Sequence, residues 1–367
     1  MKKLLLPMIA LAVASLTACS GGGSTAGVSG GTLPAVPAKL HRDVASLGKY
    51  NINMSDIVVA GVSSGADMAT QLHFSYSANI KGEAIFAGSP FFCALGTSDA
   101  FWGLVYGPTY SADYALYSCS GTEYWSEGES PPLSTLETDT NNAAKDGYLD
   151  PVADLSGSKA WIFSGEDDTV VSQSVVKDSQ SMLSHYGVST TTNYTTAAEH
   201  GWVTPDVSSS SNPCNKLNSN YLINCGFDAE DQLLTDFFGT LNARNNGTLT
   251  GSLIQFNQTP YGGTDMDSTG WLFVPANCAS GAACKLVVAL HGCEMGQQYI
   301  GTEFVQDSGL NEWADTNSII VLYPQAVSSS SPANDLGCWD WWDYSGTAYA
   351  SNEGSQVEAI WKMIQQI

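Results

Sequence analysis

The sequence has little positive charge. Thirteen Lys and Arg residues stand against 36 Asp and Glu among 367, for a formal net charge of −23. A surface of that sign repels phosphate backbones, which argues against nucleic acid as a partner. It also offers no electrostatic pull toward anionic lipid headgroups. Charged residues make up 13% of the chain, so Ser, Thr, Asn and Tyr must supply much of the polar surface. The acidity reads as a solubility feature. There is no C-x-x-C pair and no Cys/His cluster with zinc spacing, so no metal and no cofactor is expected. No internal repeat is visible. Histidine is scarce too, with five in all, which narrows the search for a general base.

The hydrophobic fraction, 43%, fits a globular body with a sizeable core. The N-terminus reads as a targeting segment. Met1-Lys2-Lys3 is a positive n-region, and Leu4 to Leu16 is an apolar stretch too short for a comfortable membrane span. Leu16-Thr17-Ala18-Cys19 resembles a bacterial lipobox, which implies a signal peptide over 1–18 and a lipidated Cys19. Residues 19–39 are Gly/Ser-rich and read as a flexible tether. A single catalytic domain is expected over 40–367. The expected location is the cell surface or outer membrane, with membrane contact only through the lipid, or else outright secretion.

Of nine cysteines, setting Cys19 aside leaves eight: Cys93, Cys119, Cys214, Cys225, Cys278, Cys284, Cys293 and Cys338. An even number in an exported chain reads as a disulfide framework. The short loops suggest Cys93–Cys119, Cys214–Cys225 and Cys278–Cys284, leaving Cys293–Cys338, although spacing alone does not fix the pairing.

Apolar runs alternate with helical patterns, which favours an α/β sheet. Strands are expected at 57–61, 84–87, 160–163, 271–274, 285–290 and 319–323. Helices are expected at 66–76, 228–241 and 355–367. Asn242 to Thr250 reads as a connector. Residues 104–150 and 325–350 read as loop-rich insertions of the kind that form lids or binding surfaces.

Gly61-Val62-Ser63-Ser64-Gly65 lies between an apolar strand and a helix, the setting of a nucleophile elbow. Ser64 lacks the flanking glycines, so Ser63 is the candidate nucleophile. Among the histidines, His41 lies in a tether-like stretch, His73 within the helix after the elbow, and His185 in a helical surface stretch. His200, in Glu199-His200-Gly201-Trp202, is the candidate base. The acid should follow a strand, and Glu166-Asp167-Asp168 does. Asp168 is preferred, with Asp167 left open. One oxyanion donor is the Ser64 amide. The other normally comes from a His-Gly turn that precedes the nucleophile in the chain. Here that turn is Leu290-His291-Gly292-Cys293, far downstream, which makes the Cys293 amide the second donor and His291 structural. The order therefore reads as a circularly permuted α/β-hydrolase, with a mostly parallel sheet flanked by helices.

The segments 62–73, 87–93, 224–228, 289–293, 321–325 and 337–342 resemble the extracellular poly(3-hydroxybutyrate) depolymerases, in their circularly permuted single-domain type. The matches span nearly the whole chain from about residue 40. The resemblance implies a serine esterase acting on polyester or oligoester, as a monomer. It implies a triad of Ser63, Asp168 and His200, oxyanion donors at Ser64 and Cys293, and substrate contacts from Trp339, Trp341 or Trp342. Two positions depart from the family's pattern: Met295 stands where Gln is usual, and Asp343 where Gly is usual. The competing readings are an esterase for soluble or cell-wall esters (feruloyl or acetyl type) and a non-catalytic, polymer-binding surface lipoprotein.

Overall fold

The structure is a computed structural model, and it describes residues 44–95, 118–121, 132–331 and 333–367. The expected signal peptide and tether over 1–39, Cys19 and His41 lie outside the described residues, as does much of the 104–150 insertion. No helix among the described residues is long and apolar enough to cross a membrane.

The chain enters at the middle of its own sheet. Strand β1 (Ile52–Val62) leads into helix α1 (Ser64–Ser75), followed by β2 (Ile80–Phe86), α2 (Leu133–Lys145), β3 (Lys159–Phe163), α3 (Gln173–His185) and β4 (Ser189–Asn193). A short pair, β5 (Trp202–Val203) and β6 (Leu222–Ile223), precedes α4 (Ala229–Phe238). The second half runs through β7 (Ser252–Asn257), β8 (Thr269–Val274), β9 (Cys284–Leu290), α5 (Leu310–Asn317), β10 (Ile319–Tyr323) and α6 (Ser355–Gln366). The main sheet has the order β4-β3-β2-β1-β9-β10-β8-β7. It is parallel from β4 to β10, and β8 and β7 close one side in antiparallel fashion.

Strand β1 is buried on both faces, so its apolar run is continuous and its side chains alternate between two cores. Val58, Ala60 and Val62 join Trp202, Leu233, Leu234 and Phe237 on one face. Ile57 and Val59 join Met68, Leu72, Val357 and Ile360 on the other. The second group comes from α1 and α6, whose apolar stripes cover that face of the sheet.

The central strands lie where the sequence pattern puts them. The two edge strands, β4 and β7, carry no such signal, because they are partly exposed and need no apolar run. The insertion read as loop contains α2, a helix of 13 residues. Helix α1 begins at Ser64, two residues earlier than its pattern suggests.

Circular permutation requires the two ends of the sheet-forming chain to meet, and they do. The Tyr50 N–H donates to the Ile367 carbonyl, and the Gln366 side chain reaches the Leu47 carbonyl at 3.5 Å. The strand that precedes the elbow in ordinary chain order is here β9, paired in parallel with β1 from Ile57↔Leu286 to Gly61↔Leu290. All four disulfides form in the pairing suggested by loop length: Cys93–Cys119, Cys214–Cys225, Cys278–Cys284 and Cys293–Cys338.

Candidate active site

Ser63 sits at the hinge between β1 and α1 with φ 56° and ψ −127°, a left-handed φ that L-residues rarely adopt. The flanking glycines make the turn possible. A Cβ on Gly61 would lie 2.0 Å from the Gly65 carbonyl oxygen, and one on Gly65 would lie 2.3 Å from that of Leu290. Strand, helix and the end of β9 thus pack backbone to backbone around the serine. The Ser63 hydroxyl makes no capping bond to the helix. Ser64 opens α1, where a backbone N–H has no intrahelical acceptor.

His200 lies on the loop before β5. Its Nδ1 is 2.9 Å from Asp168 Oδ2, with the His200 side chain 3% exposed and that of Asp168 1%. The other Asp168 oxygen accepts the Val170 and Val171 amides, each at 2.8 Å. That grip fixes the carboxylate's orientation, and it is Asp168, not its neighbour Asp167, whose carboxylate meets the histidine. Glu199, which no motif pointed out, ties the two loops together. Its carboxylate accepts the Thr169 amide and hydroxyl and also the His200 amide.

Ser63 and His200 line one cavity of about 450 Å³. Gly292 and Cys293 form its wall beside the serine, and a Cβ on Gly292 would stand 3.3 Å from Ser63 Cβ. Among the described residues the Cys293 N–H has no hydrogen-bond partner. Cys293 is bonded to Cys338, so its sulfur carries no proton. The Ser64 hydroxyl, 3.4 Å away, is therefore the donor in that contact, and it accepts the Trp339 amide at 3.3 Å. His291 is fully buried and accepts the Ala326 amide through Nε2 at 3.1 Å. Burial pushes its pKa down to about 4, so it stays neutral and structural.

The three tryptophans separate. Trp339 is fully buried and donates from Nε1 to the His291 carbonyl at 2.9 Å, so the expectation of a substrate contact there is corrected: its ring packs in the core against the His291 turn. Trp341 and Trp342 line the cavity, with Val170, Val171, Met295 and Leu336 supplying further apolar wall. Asp343 is not among the lining residues. Its φ of 75° is one that glycine adopts freely, which accounts for glycine being usual at that position.

Sequence reasoning missed Asp67, one turn into α1. Its carboxyl lines the cavity and accepts the Ser89 amide at 2.7 Å and hydroxyl at 2.9 Å. Burial raises its pKa to about 7, opposed by the Ser89 bonds and by His200. Its presence in Gly-Ala-Asp-Met of the elbow helix was legible, but nothing there showed which way it faces. Among the described residues no group of His, Cys, Asp and Glu is arranged to hold a metal ion.

Comparison with known proteins places this geometry. A polyhydroxybutyrate depolymerase from Talaromyces funiculosus is 35% identical over 336 residues, covering 88% of this chain and 92% of that one. The chain belongs to the PHB depolymerase family. The family model described as Esterase PHB depolymerase matches residues 270–367. A poly(3-hydroxybutyrate) depolymerase from Delftia acidovorans is 38% identical over 329 residues, and the match spans 88% of this chain but 61% of that relative. Two solved structures of PHB depolymerases superpose with a TM-score of 0.77, covering 88% of this chain and 98% of each. One, from Penicillium funiculosum, is 34% identical. The other is 33% identical and is a serine-to-alanine variant complexed with an R3HB trimer. The α/β-hydrolase fold of this PHB depolymerase relative is thus supported by sequence and shape together.

Proposed function

We propose that this protein is a serine esterase that cleaves poly(3-hydroxybutyrate) or its oligomers through an acyl-enzyme on Ser63. The observation that carries the reading is the strained Ser63 elbow sharing one cavity with a histidine held at 2.9 Å by a buried carboxylate. Asp168 accepts the Nδ1 proton of His200, which leaves Nε2 to take the Ser63 proton as the hydroxyl attacks the ester carbonyl. The imidazolium so formed is stabilised by Asp168 and then protonates the leaving alkoxide. The Ser64 and Cys293 amides receive the oxyanion, both held by backbone that does not need to rearrange. Water then attacks the acyl-enzyme with His200 again as base.

The substrate class follows from the walls. Among the described residues no Lys or Arg lines the cavity, so it suits a neutral, partly apolar ester chain, with Trp341 and Trp342 offering flat faces for it. The R3HB trimer bound by a family member of the same shape supports a 3-hydroxybutyrate backbone. Export and acylation of Cys19 would tether a monomeric catalytic body at the cell surface, where soluble oligomers as well as polymer reach it.

The test compares clearing of a poly(3-hydroxybutyrate) film, release from 3-hydroxybutyrate oligomers, and hydrolysis of feruloyl and acetyl esters. Turnover of the first two, abolished in a normally folded Ser63→Ala variant, is expected. Turnover confined to aryl or acetyl esters would move the substrate assignment, and activity retained in Ser63→Ala would sink the mechanism.

A further inference from the structure

Two residues on the cavity wall have no part in the mechanism above: Tyr221 and Glu294. The Tyr221 hydroxyl donates to Glu294 Oε2 at 2.9 Å. Each end of that bond belongs to a different piece of the catalytic apparatus. Tyr221 stands behind the base. Its carbonyl accepts the Trp202 amide at 2.8 Å, two residues after His200, and its ring meets the His200 ring edge to face at 6.1 Å. A Cβ on Gly201 would come within 2.6 Å of the Tyr221 carbonyl oxygen, so the two loops are in backbone contact. Glu294 directly follows Cys293, the oxyanion donor, and its own amide donates to the Leu336 carbonyl at 2.8 Å.

Both residues hold left-handed backbone, with φ 51° at Tyr221 and φ 58° at Glu294. Neither is glycine, so each needs its surroundings to keep it there. Each also lies within a disulfide-closed loop, Cys214–Cys225 for Tyr221 and Cys293–Cys338 for Glu294. The disulfides fix each loop internally but do not join the two. The Tyr221–Glu294 bond does. Burial and the neighbouring carboxylate raise the phenol's pKa to about 12, so it remains a donor at any working pH.

We propose that Tyr221 and Glu294 are positioning residues whose hydrogen bond holds the His200 loop in register with the Cys293 oxyanion turn. The inference rests on the esterase reading. Base and oxyanion donor must act on one tetrahedral centre, and a small displacement between them costs rate without weakening binding. The carboxylate serves as an acceptor, and its charge is incidental.

The experiment measures kcat and KM on a soluble 3-hydroxybutyrate trimer ester, with rates normalised to active sites counted by organophosphate labelling so that misfolded protein does not register. Tyr221→Phe and Glu294→Ala are each expected to lower kcat by about 10-fold to 100-fold with KM within about 2-fold. The double variant should be no slower than the slower single one, as expected of two groups sharing one interaction. Glu294→Gln keeps an acceptor oxygen and should stay within about 3-fold of the parent. Unchanged kcat in Tyr221→Phe would overturn the clamp alone, as would a Glu294→Gln variant as slow as Glu294→Ala. A parent protein inert to ester and organophosphate alike would overturn the esterase reading beneath it.

Discussion

Two histidine–carboxylate pairs in this molecule have the same length and opposite surroundings. His73 Nδ1 lies 2.9 Å from Glu83 Oε1, and His200 Nδ1 lies 2.9 Å from Asp168 Oδ2. The first pair joins α1 to β2 inside the core, where both side chains are fully buried and Thr70 also donates to Glu83 at 2.6 Å. Its far nitrogen, His73 Nε2, is buried and has no hydrogen-bond partner among the described residues. In the second pair His200 lines the cavity that Ser63 also lines. A short bond between imidazole and carboxylate therefore does not mark a catalytic dyad. What separates the two is that His200, unlike the fully buried His73, shares that cavity with Ser63.

The sharpest way to test the contrast is to delete each histidine. His200→Ala should lower kcat on a trimer ester by about 10,000-fold or more while leaving the melting temperature near that of the parent. His73→Ala should do the opposite. It strands a buried carboxylate and should cost about 3 kcal/mol in urea unfolding, with turnover per folded molecule retained. Equal losses of rate in the two variants would erase the distinction.

A smaller effect is expected from the acids. Asp168→Asn should lower kcat by about 1,000-fold or more, because the amide can present a donor where His200 needs an acceptor. Asp167→Asn should leave kcat within about 3-fold, since no bond ties that side chain to the histidine. A rate loss in Asp167→Asn that matched Asp168→Asn would transfer the acid by one residue.

The smallest expected effect concerns Asp67, the third carboxyl near His200. Its pKa rises from 3.8 to about 7 on folding, so the folded state binds the proton more tightly than the unfolded chain. Its contribution to stability is full below about pH 4 and is lost as pH rises toward about 7. Asp67→Asn keeps an acceptor for the Ser89 amide and hydroxyl but cannot ionise. The variant should melt at a higher temperature than the parent at pH 8, with the gap narrowing at pH 5 and closing only below about pH 4. A constant difference across that range would rule out titration of Asp67 as the cause.

The parts of the site that were legible in the sequence are those fixed by local constraint. Gly61 and Gly65 announce the elbow because nothing larger fits between β1, α1 and β9. The His-Gly-Cys turn announced its partnership with the elbow by its odd position in the chain, and the β1–β9 pairing bears that out. Spacing could not separate Asp167 from Asp168, since the choice depends on which carboxylate the Val170 and Val171 amides hold. The Trp339–Trp342 run was misleading in one member for a related reason. Three tryptophans in four residues say that an aromatic surface exists, but only packing shows that Trp339 turns inward to the His291 carbonyl. Tyr221 and Glu199 had no sequence signal at all, because each acts through a contact made by distant segments.

The meeting of Tyr50 with Ile367 has a practical side. The two residues stand as bonded neighbours at the end of the sheet-forming chain, so a short peptide joining them would close the catalytic body into a ring. Opening that ring instead within the polar stretch 242–250 would restore the order in which the oxyanion turn is synthesised before the nucleophile. Such a rewired gene would ask whether the sequence of events on the ribosome matters to this protein, or only the arrangement it ends in.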